Sequence, residues 1–164
     1  MVNDPLLSGQ PDSLVERAEI VAEQSALFDT TRLGLLRLAF LLTGSRAVAE
    51  ELVQDAFEQV VRRWDDIERP AGYLRVAVVN GARSWGRRKP LVVSRSADPV
   101  VIDEDAVAVR DALADLPQQQ REAIVLRYYV GLTDAEIANE LDQPLGTIKS
   151  NIRRGLGRMK EAFT

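Results

Sequence analysis

Glu51 and Asp55, in the stretch AEELVQDAFEQV, are the closest this chain comes to a catalytic pair. On a helix, a spacing of four residues stacks two carboxylates on one face. There they could share a proton, hold a divalent cation, stand solvated, or dock a basic partner helix. The chain has no histidine and no cysteine, which excludes imidazole and thiolate metal sites and every Ser-His or Cys-His nucleophile. Without such helpers the pair reads as a solvated face or a docking surface before it reads as an active site. No catalytic residue, bound metal or cofactor is expected, and the protein is expected not to be an enzyme.

Two basic segments suggest other work. The first is TDAEIANELDQPLGTIKSNIRRGLGRMK, which reads as two helices joined by the turn Asp142-Gln143-Pro144. Ala138 is small enough for the helices to cross closely, as in a helix-turn-helix. Thr133 is placed to cap the first helix, with Glu136 at the third position of a capping box. On the second helix Ile148, Ile152, Leu156 and Met159 keep helical spacing and are expected inside. That turns Lys149, Ser150, Arg153 and Arg154 outward, where they could pair with guanine edges or grip phosphates. A solvated cationic face near a helix C-terminus, favoured by the helix dipole, is the plainer account of the same residues. The second segment carries Arg75, Arg83, Arg87, Arg88 and Lys89 with Tyr73 and Trp85 interleaved, a pattern that could track a backbone and stack bases. Taken alone it is more often a solvated helix end, with Tyr73 as easily core as stacking platform. Two basic helices in separate modules together suggest two contacts with one extended polyanion.

The elements that must position these residues are helical nearly throughout. The 164 residues are 46% hydrophobic and 5% aromatic, enough for one modest core or two small ones. Charged residues make up 28% and the net charge is −4, so any nucleic-acid surface must be local. No stretch alternates polar and apolar as a half-buried strand would, which predicts an all-α protein. We expect a flexible tail over residues 1–12, a helix from Ser13 towards Thr30, and a second from Arg32 to Leu42 burying Leu33, Leu36 and Phe40. A third, from Arg46 to about Asp65, should bury Val48, Leu52, Ala56, Val60 and Trp64, leaving Glu51, Gln54, Asp55 and Glu58 outside. Pro70 and Gly72 break the chain before a fourth helix ending near Arg88. Residues 90–107, with two prolines and four acidic residues, form an acidic linker. The domains are thus expected at 13–89 and 108–164, the second holding the helix-turn-helix. Arg37 interrupts the most apolar run, and the first residues are acidic where a signal peptide is basic, so a cytoplasmic protein without membrane insertion is expected.

Over about residues 25–164 the chain resembles a bacterial RNA polymerase sigma factor of the extracytoplasmic-function group, which keeps only regions two and four. LLRLAFLLTGSRAVAEELVQDAF resembles the start of region two. YLRVAVVNGARSWGRR resembles its promoter-melting and −10-reading helix, and LADLPQQQREAIVLRYYVGLTDAEIANELDQPLGTIKSNIRRGLGRM resembles region four. The resemblance implies that Glu51, Gln54 and Asp55 dock on the coiled coil of the polymerase β′ subunit. It implies that Tyr73, Asn80, Arg83 and Arg87 capture the −10 strand, a flipped base being held by the preceding loop. It implies that Lys149, Ser150, Arg153 and Arg154 read the −35 duplex. Core RNA polymerase and promoter DNA are the implied partners, and a dedicated anti-sigma factor is common in the family. Pro144 stands where many relatives carry a serine or threonine cap, and Asp142 where glycine is common, so the recognition helix should start less well capped. The rival account, a stand-alone helix-turn-helix regulator, leaves the ELVQD face and the first basic helix without a purpose.

Overall fold

The structure, a computed structural model, describes residues 13–88 and 104–164. The expected tail at 1–12, Lys89, and the expected linker as far as residue 103 lie outside the described residues. Among the described residues every regular element is helical.

The first unit is built on α1 (Leu14–Thr43), a single helix of 30 residues. Ser13 and Glu16 close a capping box, the Glu16 N–H donating to Ser13 Oγ at 3.1 Å and the Ser13 N–H to Glu16 Oε2 at 3.3 Å. The break expected around Thr30 and Thr31 is absent. Both hydroxyls are absorbed within the helix, Thr30 donating to the Ala26 carbonyl at 2.8 Å and Thr31 to that of Leu27 at 2.6 Å. The helix stops at Gly44, which takes the left-handed conformation (φ 69°) and donates its N–H to the Phe40 carbonyl. The inward face differs from expectation: Leu35, Leu38, Ala39 and Leu42 are buried, whereas Leu33 is 56% exposed and Leu36 and Phe40 are half-buried. In so apolar a run periodicity cannot choose the face; the packing of neighbouring helices does.

Ser45 caps α2 (Arg46–Arg62), accepting from the Val48 N–H at 3.3 Å. Ala49, Val53, Ala56, Phe57 and Val60 are buried, so the expected stripe holds at Ala56 and Val60 and otherwise sits one residue away. Trp64 lies beyond the helix, in a 3₁₀ turn at Trp64–Asp66. Pro70 opens α3 (Pro70–Arg88), whose Leu74, Val78, Val79 and Ala82 complete the core of this unit.

The second unit contains α4 (Glu104–Ala114), α5 (Gln118–Ile124) with its π-helical continuation Val125–Val130, α6 (Asp134–Glu140) and α7 (Leu145–Ala162). The widened turns after α5 end at Gly131 (φ 86°), and the N–H groups of Gly131 and Leu132 both reach the Leu126 carbonyl. Where α7 crosses α5 the contact is Gly155. A Cβ there would run into Ile124 Cδ1 and lie 3.4 Å from Gln120 Cβ. Because this glycine occupies the crossing point, Leu156 is turned out and 39% exposed, against expectation, while Ile148, Asn151 and Ile152 are buried.

The units are packed together through a buried cation. Arg121, on α5, is 2% exposed and donates to the Leu42 carbonyl at 3.2 Å and the Leu116 carbonyl at 3.1 Å. Leu42 stands in the last turn of α1, where carbonyls lack helical partners and the dipole favours a cation; α1 supplies no basic residue of its own there.

Gly155→Val should overpack the crossing and lower the free energy of unfolding by about 1–3 kcal/mol. Gly157→Ala, where an added Cβ meets nothing within 4 Å, should raise it by about 0.5–1 kcal/mol. Urea unfolding of both variants checks the pair.

Candidate nucleic-acid interface

The helix-turn-helix is assembled by local chemistry. The Thr133 hydroxyl accepts from the Glu136 N–H at 3.2 Å, and the Glu136 carboxylate accepts the Thr133 N–H at 2.7 Å and its hydroxyl at 2.9 Å. These bonds hold the Glu136 carboxyl below the usual carboxylate range. In the turn Asp142 adopts the left-handed conformation (φ 50°), which aspartate tolerates better than most residues. Pro144 stands at the N-cap of α7 with no side-chain cap, as expected of a residue without a hydroxyl. From there α7 turns Ile148, Asn151, Ile152 and Gly155 inward, so Lys149, Arg153 and Arg154 are exposed and Ser150 half-buried. None of these three cations is held by an ion pair among the described residues. They form a free basic ridge. Asn151, absent from the expected set, is buried on the inward face with no hydrogen-bond partner for its Nδ2 among the described residues.

The cations of α3 are placed differently. Asn80 and Arg87 are exposed, but Arg75 and Arg83 are engaged by the other unit. Arg75 makes a forked contact with Glu140 on α6, at 3.3 and 3.0 Å. Arg83 pairs with Glu122 on α5 at 3.4 Å and donates to the Leu141 carbonyl at 3.3 Å. Gln118 ties the same region together, its amide donating to Glu122 at 2.8 Å and to the Arg83 carbonyl at 3.3 Å. Tyr73 is half-buried and donates to Gln59 of α2 at 3.3 Å, with the Arg63 guanidinium 5.8 Å from its ring. Its hydroxyl is thus tied to α2.

Glu51, Gln54 and Asp55 are all exposed on α2. Gln54 donates to Glu58 at 3.2 Å. Beside them lies an open groove of about 710 Å³ between α1 and α2, floored by Phe28, Leu36, Val53, Phe57 and Val61 and rimmed by charge. The Phe28 and Phe57 rings meet at 4.9 Å, tilted by 59°. Sequence reasoning missed this groove because a helix broken at Thr30 gives Phe28 no fixed relation to Phe57. Among the described residues no cluster of three or more carboxylates could hold a metal ion.

Two family models match in order along the chain, Sigma-70 region 2 over residues 27–90 and Sigma-70 region 4 over residues 106–159. The RNA polymerase sigma-E factor of Streptomyces avermitilis is 32% identical over 138 residues, spanning 77% of this chain and 77% of that protein. The ECF RNA polymerase sigma factor SigK of Mycolicibacterium vanbaalenii is 30% identical, spanning 97% of this chain and 92% of its own length. Among solved structures, CnrH in complex with the cytosolic domain of CnrY gives a TM-score of 0.64 at 22% identity, covering 85% of this chain and 86% of that one. RpoE in complex with the anti-sigma factor NepR, from Bartonella quintana, gives 0.60 at 24%, covering 92% and 98%. At those identities the two structures speak for a shared helical fold. A region 2 followed by a region 4, with these relatives, defines the class: the chain belongs to the RNA polymerase sigma factors, of the extracytoplasmic-function type.

Burial pushes the Glu122 carboxyl above the ordinary glutamate range, against the opposing pull of Gln118, Arg83, Arg121 and Arg87. A raised folded-state value means that its contribution to stability is full below the unfolded-state value and is lost as pH rises through the folded one. The difference in unfolding free energy between the parent and Glu122→Gln should therefore fall as pH rises across that window. Urea titrations of the two proteins at a series of pH values measure it.

Proposed function

We propose that this sigma factor docks on core RNA polymerase through α2 and the adjoining groove, and reads promoter DNA with α3 and α7. Residues 13–89 act as the polymerase-binding and −10 module and residues 108–164 as the −35 module, with 90–107 as the connection. The observation that carries the proposal is the exposed ridge of Lys149, Arg153 and Arg154 on the second helix of a helix-turn-helix, within the segment matched by region 4. A helix that buries one side and offers unpaired cations on the other is suited to the major groove. Ser150 adds a hydroxyl between them. For the −10 strand the candidates are Tyr73, Asn80, Arg83 and Arg87.

Glu51 and Asp55 offer exposed carboxylates, and the neighbouring α1–α2 groove, lined by Gln54, Glu50 and Glu58 over an apolar floor, offers a seat, to a basic helical partner such as the β′ coiled coil. The factor makes and breaks no bond. It acts in the cytoplasm with the polymerase, and no described helix is long and apolar enough to cross a membrane. Two structural relatives were solved with a protein bound, one of these an anti-sigma factor, which supports an anti-sigma partner for this chain as well.

Charge reversal at both Glu51 and Asp55 should weaken binding to core polymerase at least tenfold with an unchanged circular dichroism spectrum. Unaltered affinity removes the docking role. Arg153→Ala and Arg154→Ala should each cost about 1–3 kcal/mol in holoenzyme binding to the promoter. A base-reading side chain loses this only on the true −35 sequence; equal loss on a scrambled one marks a phosphate contact.

A further inference from the structure

The first turns of α1 lie ahead of the family match. Residues 14–26 precede the region 2 segment, which begins at 27, and they present apolar side chains to solvent: Leu14 is 84% exposed and Val21 61%, with Phe28, at the groove, 42%. At about 100° per residue, Leu14, Val21, Phe28, Arg32 and Leu36 fall within an arc of about 80°. The last three line the α1–α2 groove, so the exposed stripe runs straight into it. That arc carries no carboxylate; Glu16, Glu19 and Glu23 lie towards the far side of the helix. The chain ahead of Ser13 suits this path. It holds Val2, Leu6 and Leu7, two carboxylates, Asp4 and Asp12, and no basic side chain. Gly9, Pro11 and Asp12 are turn-forming residues placed just before the cap of α1. Phe28 lies about 22 Å along the helix from Ser13. Eight residues, left after about four are spent on a turn, extend about 26 Å, enough to reach it.

We infer that residues 1–12 double back along α1 and seat Val2, Leu6 and Leu7 on the stripe of Leu14, Val21 and Phe28, covering the Phe28 end of the α1–α2 groove. The inference rests on the reading of that groove as the polymerase seat, but the placement of the segment is tested without polymerase. Removal of the exposed stripe from water drives the contact. Arg32, whose guanidinium lies 5.5 Å from the Phe28 ring, stands at the end of the path as a counter-charge to the segment's carboxylates. The consequence is competition: a partner helix entering the groove must displace the segment from Phe28, so residues ahead of the family match tune the affinity for core polymerase.

Because the chain has no cysteine, Asn3→Cys carries a single nitroxide beside Val2. In nuclear magnetic resonance spectra of the isotopically labelled, full-length protein, the amide signals of Phe28, Arg32 and Val61 should lose at least half their intensity relative to the reduced label, while those of α7 keep theirs. Leu6→Ser/Leu7→Ser, within the segment, and Val21→Ser, on the exposed stripe outside the groove, should each restore the signals. In the absence of the label, the same substitutions should tighten binding to core polymerase at least threefold. Intensity loss confined to the residues around Ser13 overturns the seat. Loss that appears on mixing isotopically labelled, nitroxide-free protein with nitroxide-bearing protein of natural isotope content assigns the stripe to a second copy, which overturns it equally. Signals restored by the substitutions at unchanged polymerase affinity keep the segment on the stripe but overturn the competition, and point to failure of the groove as the polymerase seat.

Discussion

A guanidinium almost sealed from water holds the two helical units to each other. Taking Arg121 out of solvent is costly unless its donors are met, and burial pulls it below the ordinary guanidinium value. Two donors find carbonyls, those of Leu42 and Leu116, while Nε finds none. Leu42 closes α1 and Leu116 precedes the start of α5, so one side chain ties the end of one helix to the start of another. Gly155 seats α7 on α5, and Gln118 links α5 to α3, which its own apolar face already seats in the first unit. One buried charge thus joins the two units at the tip of α1.

What could be read from residues alone was what neighbours in sequence decide. The capping box of Thr133 and Glu136, the turn at Asp142 and the outward set Lys149, Arg153 and Arg154 depend on spacings of two to four residues, and all are found in the fold. The errors lie where distant segments decide. Thr30 and Thr31 look like a break because β-branched hydroxyl residues are poor helix formers, yet their back-bonds to Ala26 and Leu27 let α1 run on. Leu156 fits a helical stripe, but the close approach permitted by Gly155 displaces it. Nothing local announces that Glu122, in a run of glutamines and arginine, will be buried against Arg83. The groove of Phe28 and Phe57 becomes visible only once α1 is continuous.

The two basic helices, alike in sequence, differ in their state. On α7 Lys149, Arg153 and Arg154 face outward with no ion pair among the described residues; on α3 Arg75 and Arg83 are paired with carboxylates of the other unit. Composition cannot express this difference, since the same arginines count equally towards the net charge of −4. Availability is a property of the packing, and it separates cations that stand unpaired from cations already engaged.

Helix α1 is a rod of 30 residues, about 45 Å from end to end. Phe28 lines the groove near its middle, Gly34 receives Tyr129 less than two turns further on, and Leu42 receives Arg121 at its tip. These three stations share one rigid backbone with no proline or flexible joint between them. The groove and the two carbonyls that receive the second unit therefore lie along one continuous hydrogen-bonded helix and not on separate segments.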